Sequence, residues 1–237
     1  MDNPIGASHT APVNTSQRYT LLDYARALAI VLMLIYHFMY DLAAFHYIRY
    51  ETFTSVWATV IGRSCLILFL ICVGYSLGIA HPSGIRWNPF WRRWLKIAGA
   101  ACLVSLGTYL SNQSTWIYFG ILHNIALSSI LGLFFLRIPY VALPAGLALM
   151  LAYYGWDYSL PWIRLSRPSL DYIPLFPWFG SVLIGIGLTA FQLHKKYRPR
   201  YSRPVEWLSQ KSLIIYLVHQ PLLMGAVWVF KKASMVL

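Results

Sequence analysis

Acidic side chains are almost missing from this sequence. Seven Asp and Glu stand against nineteen Lys and Arg in 237 residues, and the charged types together make up only 11%. A soluble domain of this size carries about a quarter of its residues as charges. Too little charge is present here to cover a water-facing surface. Cysteine is scarce as well: Cys65, Cys72 and Cys102 lie inside apolar runs, are odd in number and show no CxxC spacing. They read as small buried hydrophobes rather than a disulfide frame or a metal site, and no metal is expected. Residues 1–17 contain no apolar stretch of the kind that drives secretion, so this polar segment is expected to be a disordered cytoplasmic N-terminus and not a signal peptide.

Apolar residues dominate: 58% are hydrophobic and 16% aromatic. They fall into seven runs, at 21–40, 56–80, 91–110, 116–136, 139–156, 176–193 and 212–230. Each approaches the roughly 20 residues that a spanning helix needs. The expectation is an all-α, polytopic integral membrane bundle of about seven transmembrane helices. The fifth run is the weakest, since Pro144 interrupts it and it is barely long enough. The formal charge of +12 does not imply nucleic acid, because the cations sit in the gaps between apolar runs. With the N-terminus in the cytoplasm, thirteen of the nineteen basic residues fall on the inner side, in 86–96 and 195–211 above all. Lys231 and Lys232 oppose this bias. The longest outer loops, 40–54 and 155–174, are rich in Trp, Tyr and Pro, which suits the headgroup region and could also wall a site.

Ionisable groups inside a membrane span are costly and mark function by default. Arg26 and His37 are eleven residues apart on the first run, close to three helical turns, so they share a face about 16 Å apart. Asp41 follows one turn beyond His37 on the same stripe. One reading is interfacial: Arg26 snorkels, paired with Asp23, and His37 and Asp41 mark the outer boundary. The other is a site threaded through the membrane, with His37 a general base and Arg26 a partner for phosphate. His123 with Asn124, and His219 in the seventh run, either brace neighbouring helices or face the same site. His219 is expected nearer the cytoplasmic half. Arg63 is expected to pair with Asp41. Arg92, Arg93 and Lys96 are either ordinary positive-inside residues or a phosphate site. Trp116, Trp156 and Trp162 are candidates for sugar stacking.

The stretch LLDYARALAIVLMLIYHFMYDL, with its Arg, ten residues, His pattern at Arg26 and His37, resembles the first core helix of the heparan-alpha-glucosaminide N-acetyltransferase-like membrane proteins and their O-acyltransferase relatives. LFLICVGYSLGIA, WIYFGILHNIALS, FPWFG and SLIIYLVHQPLL resemble further helices of the short bacterial members, in the same order, over about 18–224. The resemblance implies one acyltransferase-like membrane domain at 18–232, a tail at 233–237, and residence in a bacterial inner membrane. It implies transfer of an acetyl group from cytoplasmic acetyl-CoA to an amine or hydroxyl of a sugar or cell-surface glycan outside. Arg26, Arg92, Arg93 and Lys96 would then meet the CoA phosphates and His37 would take the acceptor proton, with Asp41 orienting its ring. Arg63, Ser64 or Asn124 would serve a developing oxyanion. His123 and His219 would contact the pantetheine arm or the acceptor. His46 is the reserve base, because in one branch the active histidine lies in the following loop. Larger relatives carry more helices, so the chain is either a minimal core or assembles with a second copy. Two other classes fit the residues less well. A transporter or channel would use the intramembrane Arg, His and Asp, and a haem subunit would use two of His37, His123 and His219 as axial ligands.

Overall fold

The structure, a computed structural model, describes residues 20–197 and 199–234. The 1–17 segment, Arg18, Arg198 and residues 235–237 of the expected tail lie outside the described residues. Among the described residues every regular element is a helix, as the all-α expectation requires. Four helices are long and apolar enough to cross a membrane: α1 (Thr20–Ala44), α3 (Val56–Ala80), α4 (Trp87–Ser111) and α10 (Ser212–Ser234). A single turn, α2 (Tyr50–Phe53), follows α1.

The other three apolar runs are not uniform spans. The run at 116–136 becomes helical only at Ile121, as α5 (Ile121–Gly132), and tightens into a 3-10 turn at Leu133–Phe135. Helix α6 (Pro139–Trp156) carries Pro139 in its first turn, where no backbone donor is needed, and ends at Asp157 with a left-handed φ of 51°. Helix α7 (Phe179–Leu188) is followed by a second 3-10 turn, Thr189–Phe191, and then by α8 (Leu193–Lys196) and α9 (Arg203–Gln210).

The core is a sandwich of α3, α7 and α6, in which Leu70, Ala142, Val182, Leu183 and Ile186 are buried. Lipid tails are as apolar as leucine, so helices gain little by hiding apolar area from them and must approach closely to gain packing. Glycine permits that here. A Cβ on Gly74 would lie 2.0 Å from the Val182 carbonyl oxygen, and one on Gly185 would lie 2.2 Å from that of Ile71. The expected result for Gly185→Leu is separation of α3 from α7 and a loss of stability of at least the ~1–3 kcal/mol usual for overpacking. A melting curve in detergent checks this, and an unchanged midpoint rejects the seam.

The other flank is held by polar contacts. Ser209 Oγ donates to Asp23 Oδ1 at 2.6 Å, Gln220 Nε2 to Asp41 Oδ1 at 2.7 Å, and Lys231 Nζ to the Phe45 carbonyl at 3.2 Å. Helix α10 therefore runs beside α1 in the same direction. Asp41 is fully buried, and its second oxygen makes no hydrogen bond.

Candidate active site

Two imidazoles meet where α1 faces α10. The rings of His37 and His219 are 4.6 Å apart, edge to face at 84°. His37 Nδ1 lies 2.9 Å from the Met33 carbonyl, and His219 Nδ1 lies 2.6 Å from that of Tyr216. A carbonyl oxygen can only accept, so each Nδ1 carries its hydrogen and each Nε2 carries the basic lone pair. The Nε2 of His219 is buried without a hydrogen bond. His219 thus stands at the level of His37, not nearer the cytoplasm as its place in the apolar run suggests. The reason is the register of α10 on α1, which pairs Gln220 with Asp41, one turn past His37. Direct ring contact leaves no room for a porphyrin between these histidines.

A carboxylate that the sequence reading did not single out reaches the same place. Asp171 belongs to the irregular connection between α6 and α7. Its Oδ2 accepts from the Ile121 N–H at 3.1 Å, and the Tyr216 hydroxyl lies beside it. Burial pushes its pKa above the ordinary carboxylate value of 3.8, against the lowering pull of the Ile121 N–H, the His37 charge and the Tyr216 hydroxyl. Backbone pairing brings it in: Leu170 N–H donates to the Thr115 carbonyl at 2.9 Å and Ile173 N–H to that of Phe119 at 3.0 Å. Asn124, fully buried, fastens the strap with its Nδ2 on the Pro174 carbonyl at 2.7 Å and accepts from Ser128 Oγ at 2.9 Å. Gly120 leaves the space, since a Cβ there would sit 2.5 Å from Asp171 Oδ2.

A cavity of about 290 Å³ is lined both by Tyr216 and by a group of cations. Arg26, Arg93 and Lys96 line it, together with Phe69, Cys72 and Val73 of α3. Arg26 and Arg93 come from α1 and α4 and repel each other across it. Arg93 also donates to Ser76 Oγ at 3.2 Å. Both arginines line a second cavity of about 370 Å³ with Ser76, His81, Phe90 and Trp94. Two like charges facing each other beside an open space favour an anion placed between them.

The remaining sequence-derived residues fall elsewhere. Asp41 does not hydrogen-bond the His37 ring, because the Met33 carbonyl takes Nδ1 and Gln220 takes the carboxylate. Nor does Arg63 pair with Asp41: it stacks over Tyr154 at 5.6 Å, which satisfies the cation from α6 instead. His46 is exposed in the turn after α1, at a left-handed φ of 66°. His123 accepts from the Gly120 N–H at 3.2 Å and sits 3.0 Å from Ser105 Oγ, so both ring nitrogens serve the start of α5. Arg92 is exposed and lies off the cavity wall. Trp116 packs on Tyr118 and Trp162 on Phe119 and Phe176, whereas Trp156 is exposed. No group of three or more His, Cys, Asp or Glu able to hold a metal occurs among the described residues.

A family model described as heparan-alpha-glucosaminide N-acetyltransferase, catalytic, matches residues 18–221. No curated protein and no solved structure matches the chain.

Proposed function

The chain belongs to the heparan-alpha-glucosaminide N-acetyltransferase catalytic family, and from that premise we propose that this membrane acetyltransferase takes acetyl-CoA from the cytoplasm and delivers the acetyl group to an amine or hydroxyl of a glycan on the opposite face. The observation that carries the reading is one cavity lined both by cations and by Tyr216, whose ring packs on His219 beside His37. Arg26 and His37 are about 16 Å apart along α1, comparable with a pantetheine arm. The CoA phosphates lie between Arg26, Arg93 and Lys96, and the thioester lies toward His37. The acceptor N–H or O–H approaches from the outer side and gives its proton to His37 Nε2. A C–N or C–O bond forms at the acetyl carbonyl, the C–S bond breaks, and the CoA thiolate leaves and is protonated. His219 lies against the ring that becomes charged.

The parallel course of α1 and α10 requires an odd number of crossings between them, as a seven-span chain has with five, and the excess of cations at 86–96 and 195–211 supports an N-terminus inside. Reporter fusions after residues 197 and 47 are expected to locate inside and outside, respectively; the reverse overturns the orientation. The activity is tested with reconstituted protein, labelled acetyl-CoA and candidate glycans. Labelled glycan is expected, and a protein that neither binds nor turns over acetyl-CoA refutes the proposal.

A further inference from the structure

Asp171 has no counterpart in the reaction as written, yet its position is costly and elaborately maintained. It comes from a connection with no helix of its own and is drawn inward by the backbone pairs at Leu170 and Ile173 and by Asn124. The start of α5 presents the Ile121 N–H to it, α10 presents the Tyr216 hydroxyl, and α1 presents His37 and Tyr36. His37 is faced in turn by Asp41 from its own helix and by His219 from α10. Of the two carboxylates near His37, Asp41 is engaged by Gln220, whereas Asp171 lies beside Tyr216, which lines the donor cavity.

We propose that Asp171 is a positioning residue for acetyl transfer: its carboxylate faces the imidazolium formed at His37 and holds Tyr216 on the wall of the donor cavity, so that the 170–174 strap joins the acceptor side of the site to the donor side. The role assigned to Asp171 presupposes the acetyltransferase reading. It acts through the charge on His37, since a carboxylate near a forming cation favours the charged form. No bond to Asp171 forms or breaks, and the acceptor proton still passes to His37.

A purely structural strap and this role differ in sign. Burial raises the pKa of Asp171, so between the ordinary value of 3.8 and the raised one the folded chain holds a proton that the unfolded chain releases. Stability contributed by that proton falls as pH rises through the window, and above it the bare charge is a standing cost. Asn keeps the shape: its oxygen accepts from the Ile121 N–H, and its amide can donate to the Tyr216 oxygen. Asp171→Asn is therefore expected to leave the melting midpoint at neutral pH unchanged or raised. It should lower kcat for transfer to glucosamine, used as the probe acceptor, by at least about tenfold, with KM for acetyl-CoA unchanged.

The experiment compares the full-length variant with wild type in the same vesicles. An unchanged kcat, or a kcat that falls only together with a lowered midpoint or a raised KM, overturns the role of Asp171. Wild-type protein without acetyl-CoA turnover removes the acetyltransferase reading itself, and the role with it. An active wild type beside a fully active variant removes only the role.

Discussion

His37→Ala is expected to reduce acetyl transfer by about two to four orders of magnitude, the usual contribution of a positioned general base, while acetyl-CoA binds as before. The separation follows from the geometry. His37 lies three turns along α1 from Arg26, and the cavity cations proposed to take the phosphates gather around Arg26. His219→Ala serves as the comparison. Its ring packs on His37 at 4.6 Å, and its removal opens space beside the base without deleting it. It should cost less than His37→Ala. Measured by labelled product with acetyl-CoA affinity taken separately, an active His37→Ala protein dismisses His37 as the base. A His219→Ala protein that is the worse of the two transfers the role to His219.

Arg93→Gln carries the second large effect. Hydrogen bonds to charged groups contribute about 1.5–3 kcal/mol, so losing one at a CoA phosphate weakens binding by roughly 10–150-fold. The unliganded protein should respond the opposite way. Arg93 and Arg26 repel each other across the cavity, and removing one cation relieves that repulsion, so the apo melting midpoint is expected to rise. Acetyl-pantetheine, which lacks the nucleotide phosphates, should bind wild type and Arg93→Gln alike. Calorimetric titration checks the affinities. Unchanged acetyl-CoA affinity removes the phosphate role from this cation pair.

How much of this was legible depended on whether the information lay along one helix. The Arg26–His37–Asp41 stripe is a periodicity, and α1 presents it as such from Thr20 to Ala44. The four long apolar helices were visible for the same reason, since a run of twenty apolar residues has few other fates. Residues 116–120 were as apolar as a span, but they pair with the strap and do not begin a helix, and hydropathy does not register backbone pairing. Asp171 was invisible because its surroundings in sequence, SLDYIP, read as an ordinary polar turn. Its surroundings are created by α1, α5 and α10 together. The one hint was Gly120 ahead of Ile121, a gap whose use only the fold reveals. The facing of Arg26 and Arg93 is likewise a contact between helices, and spacing within either helix is silent on it.

The Nδ1–H bonds of His37 and His219 to carbonyls of their own helices have a consequence for chemical labelling. The backbone, and not a replaceable side chain, fixes which nitrogen is nucleophilic. Substitution at Asp41, Gln220 or Asp171 should therefore leave the ¹⁵N resonances of His37 with a pyridine-like Nε2 and a pyrrole-like Nδ1. An imidazole-modifying reagent such as diethyl pyrocarbonate should add at Nε2 of His37, and acetyl-CoA should shield that nitrogen from it.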